Sequence, residues 1–226
     1  MPTELENLLA ASLQTVRQDS LHNLGIIERY KIYEMLASID ELRPLRFTLG
    51  WLGVLVTRKI LNKWESQANY WVGMEYQFGD DIDIKELPNL ILATLEDVLK
   101  AKISLAEARD KLSNLYHVIV SSVGDELFEY NPQGPMEMAC ISDAAYNGLY
   151  QAVSGRSVVL KYLKSIEHLT DDDLPTEMLD GAGSAMLAYA GGNILGPVDV
   201  QKRLEFWEWW LTEAIPQAWQ LAQETT

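Results

Sequence analysis

LRFTLGWLGVLVTRKILNKWES, residues 45–66, decides the fold. On a helix drawn at about 100° per residue, Phe47, Leu49, Trp51, Leu52, Val54, Leu55, Ile60, Leu61 and Trp64 fall on nearly every side. A helix apolar almost all round belongs in the middle of a protein, wrapped by others. Gly50 and Gly53 within it would let a neighbouring helix come close. Its most apolar part, Phe47 to Val56, is too short for a membrane span and is followed by Arg58 and Lys59.

The segments on either side supply the wrapping. Leu5, Leu8, Leu9, Leu13 and Val16 keep helical spacing, and so do Ile27, Tyr30, Ile32, Met35 and Leu36, with Arg43-Pro44 as a stop. After a less regular stretch from Gln67 to Lys85, Pro88 opens a helix that continues from Leu90 to Lys100. Ser104-Leu-Ala-Glu107 has capping-box form and predicts a helix to about Val123. Asn131-Pro-Gln-Gly-Pro135 reads as a turn, Met136 to Val153 as a helix rich in small residues, and Ser157 to Leu169 as a short one. Thr170-Asp-Asp-Asp173 is expected to start a segment that Gly191-Gly192 closes, and Gly196-Pro197 to open the last helix. No run alternates as a strand does, and no period repeats. The expected fold class is all-α, a single domain of about eight or nine helices over residues 1–226, with N-terminal helices in 1–43.

Within the last helix, Glu205 to Trp219 reads EFWEWWLTEAIPQAW and holds four of the seven tryptophans. The wheel places Phe206, Trp210, Ala214, Trp207, Ala218, Leu211, Leu204 and Ile215 on a buried arc. Trp209 falls outside it, between Glu205 and Glu213, with Glu208 also on the polar side. Trp207 and Trp210 are therefore core. Trp209 either covers a neighbouring element or anchors a partner, since tryptophan is enriched where interfaces bind most strongly. Pro216 is expected to interrupt the helix.

Charge is the main functional signal. Of the formal net −15, Met1 to Glu75 contributes little, 8 Lys+Arg against 9 Asp+Glu, whereas Tyr76 to Thr226 has 10 against 24. Such a field repels nucleic acid and anionic lipid and draws a basic partner toward the C-terminal two-thirds. A single cysteine, Cys140, and an N-terminus without signal-peptide form point to the cytoplasm.

Catalytic chemistry finds no constellation. His22, His117 and His168 are isolated, and Cys140 sits among apolar residues as an inert thiol. The acidic clusters Asp80, Asp81, Asp83 and Asp171, Asp172, Asp173 lack the fifth-position carboxylate of magnesium-diphosphate enzymes, with Ile84 and Thr176 in its place. They also lack the alternating oxygen ligands of a calcium loop. The expectation is no enzyme, no cofactor and no metal.

One stretch is more specific. Lys202-Arg-Leu-Glu-Phe-Trp-Glu-Trp-Trp-Leu-Thr-Glu-Ala-Ile-Pro-Gln-Ala-Trp219, preceded by Ala188-Tyr-Ala-Gly-Gly192, resembles the helical immunity-protein family numbered five of bacterial polymorphic toxin systems. Arg58-Lys-Ile-Leu-Asn-Lys-Trp-Glu65, with Asp80-Asp81 and Leu87-Pro88 behind it, is similar to that family's other recurrent part. The resemblance, assigned to residues 44–226, implies a cytoplasmic protein that binds and neutralises a cognate protein toxin. The acidic balance makes that toxin basic, and the partner-facing candidates are Trp209, Glu205, Glu208, Glu213, Asp80, Asp81, Asp83, Asp171, Asp172 and Asp173. The alternative is a helical scaffold or regulatory module acting as a homodimer.

Overall fold

The computed structural model describes residues 1–39, 46–67, 86–118, 133–154, 169–174 and 178–225. Among them the chain is helical and contains no strand. The helices are α1 (Thr3–Gln18), α2 (Ile26–Ile39), α3 (Phe47–Gln67), α4 (Leu87–Leu99), α5 (Leu105–Val118), α6 (Gln133–Ser154), α7 (Gly181–Ala190), α8 (Val200–Trp209) and α9 (Ile215–Glu224). A π-turn, Trp210–Ala214, joins α8 to α9 in one rod, so eight rods are described.

The all-round apolar helix is central. α3 packs against α2, α4, α6, α7 and α9. Its tightest crossing is with α6, where a β-carbon built on Gly53 would lie 2.4 Å from the Gly148 Cα. Trp64, Val54 and Ile60 of α3, Ile141 and Leu149 of α6, and Met186 of α7 are all fully enclosed.

Local signals set several helix ends. Ser104 and Glu107 form the capping box: the Ser104 N–H donates to Glu107 Oε2 (2.7 Å), and the Glu107 N–H donates to Ser104 Oγ (3.2 Å). Gly191 and Gly192 end α7 with φ of +75° and +111°, in a region that favours glycine.

Four expectations need correction. α6 begins at Gln133, so Gly134-Pro135 lies in its first turn, where a missing N–H costs no helical bond. Asp171–Asp173 forms a separate 3₁₀ turn, and α7 is opened by Asp180, whose carboxylate accepts from the Gly183 N–H. The last rod starts at Val200 with Asp199 as its cap, accepting from the Lys202 N–H at 3.0 Å, rather than at Gly196-Pro197. Pro216 does not interrupt the rod, because it enters at the first turn of α9 just after the π-turn. There the Ile215 N–H reaches back five residues to the Trp210 carbonyl. The expected stop at Arg43-Pro44, the Asp80–Asp83 stretch, the extension from 119 to Val123 and nearly all of the Ser157–Leu169 helix lie outside the described residues.

Candidate functional site

The C-terminal rod separates its indoles as the wheel requires. Phe206, Trp207, Trp210, Leu211, Ala214, Ile215 and Ala218 are buried, while Leu204 is half-buried. Trp207 and Trp210 stack edge to face at 5.7 Å, and Tyr33 of α2 meets Trp210 the same way at 5.9 Å.

On the outward side stand Glu205, Glu208, Trp209 and Glu213. Glu205 and Glu213 are exposed. Glu208 is half-buried and accepts from Arg17 Nε of α1 at 2.7 Å. Trp209 is half-buried as well, tilted against Phe206 at 5.7 Å, with the Lys59 ammonium of α3 4.9 Å from its ring centre. Trp209 therefore covers a neighbouring element while keeping one edge in solvent.

Two members of the second acidic cluster are held by buried arginines. Arg29 of α2 is fully buried and all five of its N–H groups are used. Nε donates to Asp180 at 3.0 Å, Nη2 to Asp180 at 2.6 Å and to Asp171 at 2.8 Å, and Nη1 to Asp171 at 2.9 Å and to the Leu24 carbonyl. Its guanidinium also lies over the Trp207 ring at 5.2 Å. Burial opposes the charge on Arg29, but Asp171 and Asp180 outweigh it and hold the group fully protonated. Asp171 is thus a counter-ion inside the protein, and its place among the partner-facing candidates is corrected. Burial raises its own pKa, against the pull of Arg29.

Asp172 is only partly accessible and is bidentate to the buried Arg203 of α8, at 2.8 and 2.9 Å. Arg203 also donates to Asn23 at 2.7 Å. A β-carbon on Gly192 would come within 2.2 Å of Asp172 Oδ1, so this close approach needs glycine as much as its φ does. Asp173 alone of the three is exposed, and one of its oxygens accepts from both the Thr170 N–H and Oγ. Asp80, Asp81 and Asp83 lie outside the described residues.

Sequence reasoning passed over Arg29, Arg203, Tyr33 and Asp180. A signal existed for Arg29: it falls on the same helical face as Ile26, Ile32, Tyr33 and Leu36, which puts a cation on an apolar stripe.

Tyr33 adds a pH-dependent element. Its hydroxyl donates to Asp180 Oδ2 at 2.5 Å, and burial followed by the Asp180 charge lifts its pKa well above the usual phenol range. An acid whose folded pKa is raised contributes stability that is whole below its unfolded pKa, about 10, and is lost as pH rises further. We expect Tyr33→Phe to cost about 2 kcal/mol at neutral pH and to flatten the loss of stability above about pH 10, by urea unfolding at a series of pH values. An alkaline limb unchanged from the parent protein would refute this.

His22 donates from Nδ1 to the Val16 carbonyl at 2.8 Å, a structural contact. Cys140 is buried. Among the described residues, no group of three His, Cys, Asp or Glu is placed to hold a metal ion, and no helix is long and apolar enough to cross a membrane.

Within the C-terminal stretch that carries the resemblance, the Gly191–Gly192 pair and the tryptophan rod meet at the Arg203–Asp172 cluster. Over residues 10–217 the chain matches the sequence profile of the family described as immunity protein Imm5. The chain belongs to the Imm5 family. No curated protein matches it. The Imm5 match begins inside α1 and ends inside α9, so it takes in the central helix, both buried arginines and the outward glutamates. An immunity protein has a toxin as its counterpart, and membership of Imm5 brings that role with it.

Proposed function

We propose that this Imm5 chain neutralises its toxin in the cytoplasm by direct, stoichiometric binding, offering the outward carboxylates of the C-terminal rod to a basic toxin domain. The observation that supports this reading is the state of Glu205 and Glu213. Both are exposed beside a half-covered indole, and neither has a cationic partner among the described residues. Carboxylates free of counter-ions on a rigid helix attract a cationic surface and set its register. Glu208 and Asp173 belong to the same proposed surface, already engaged by Arg17 and Thr170 respectively. Asp80, Asp81 and Asp83 are further members on the strength of the sequence alone. Asp171 and Asp172 are not, since Arg29 and Arg203 hold them. No chemistry is required of such a protein, because covering the toxin is enough.

The test is co-expression with a candidate toxin domain from the neighbouring genes. The parent protein should restore growth and copurify, and the complex should weaken steeply with added salt. The variant Glu205→Lys/Glu208→Lys/Glu213→Lys should lose rescue while its melting temperature stays within about 3 °C, because an exposed pair such as Arg17–Glu208 contributes little to stability. Full rescue by the triple variant would refute this surface.

A further inference from the structure

Lys59 has an unusual seat. It is half-buried on α3, and its ammonium lies 4.9 Å from the ring centre of Trp209 and 5.6 Å from that of Tyr189. Those two rings come from different elements, α8 and α7. Both lean on the fully buried Phe206, Tyr189 at 5.9 Å and Trp209 at 5.7 Å, so the gap between them is set by the core. No carboxylate pairs with Lys59 among the described residues, so ring faces are what hold its charge. The exposed Glu205 and Glu213 stand about one turn before and after Trp209.

We propose that Tyr189 and Trp209 form a cation cage, filled by Lys59 in the free protein and by an arginine of the toxin in the complex. The proposal rests on the toxin-binding reading above and names the chemistry at its centre. A guanidinium suits this cage better than an ammonium does: it is planar, stacks flat on rings and is less strongly hydrated. Lys59, on a flexible four-carbon stem, can leave the cage without moving the backbone. The cage also gives Trp209 its double character, cover for α3 in one state and anchor for the partner in the other. Flanking carboxylates add attraction for the incoming cation, and displacing Lys59 is the toll that a partner lacking arginine does not recover.

The test uses Lys59→Met, which keeps the stem and removes the charge, with methylguanidinium as probe at constant ionic strength. The Trp209 indole N–H resonance, assigned through Trp209→Phe, reports occupancy. Lys59→Met should show a saturable shift, and the parent protein should need about tenfold more probe. Lys59→Arg, which refills the cage with the protein's own guanidinium, should bind the probe no better than the parent. A folded Lys59→Met without a saturable shift overturns the cage. With the toxin domain, Lys59→Met should bind more tightly than the parent, by up to about tenfold, and unchanged or weaker binding overturns the assignment of its occupant. If the parent protein forms no complex with the toxin at all, the direct-binding function fails, while the probe titration still decides the cage.

Discussion

Replacing Arg29 with methionine will lower stability by about 4 kcal/mol, a fall in melting temperature on the order of 10 °C for a chain of this size. The side chain is fully buried, and its five donors serve Asp171, Asp180 and the Leu24 carbonyl. Methionine matches the stem but leaves two carboxylates in the interior with no counter-ion, and that uncompensated charge dominates the loss. The origin of the effect can be checked. Adding Asp171→Asn and Asp180→Asn to the same protein removes the stranded charges, and asparagine is still able to cap α7. The triple variant should regain at least half of the lost stability in urea unfolding. A single variant that costs less than about 1 kcal/mol would show that the cluster is not what fixes the Asp171–Asp173 turn against α2.

The second large effect is at the crossing of α3 and α6. Gly53→Ala should destabilise by about 2 kcal/mol even though alanine is the better helix former by about 1. A β-carbon there would meet backbone, the Gly148 Cα at 2.4 Å, so the two helices must separate and most contacts of the central helix loosen together. Gly50→Ala should cost less, because its β-carbon would meet a movable Leu99 methyl at 2.7 Å and the Ala152 Cβ at 2.9 Å rather than backbone at 2.4 Å. Equal or greater stability of Gly53→Ala, by thermal or urea unfolding, would refute the close crossing.

How much of this could be read in advance follows the kind of physics involved. Helix identity and the central place of α3 were legible because apolar periodicity over twenty residues integrates many weak preferences. The capping box at Ser104–Glu107 and the glycine stop at Gly191 were legible because each is a local bond or a local dihedral. Asp171 and Asp172 were not: on the page they are an acidic run like any other, and only long-range contacts deliver Arg29, 142 positions away, and Arg203, 31 positions away, to hold them. Asp180 was hidden for the same reason, since its pairing with Arg29 spans 151 positions. The outward glutamates needed only the wheel. Lys59 over Trp209 could not be foreseen, because nothing local to either residue reports how α3 lies against α8.

The widened turn at Trp210–Ala214 has one more consequence. On a rod of constant pitch, Ile215, Ala218 and Ala222 would drift toward the far edge of the inward arc, at about 120–180° from Phe206. One surplus residue in the coil turns everything beyond it back by about 100°, which centres those three side chains over α3. The rod is therefore two segments with a phase correction between them. On the proposed binding mode, Glu205, Glu208 and Trp209, which precede the correction, can change to suit a different toxin without retuning the seam behind it.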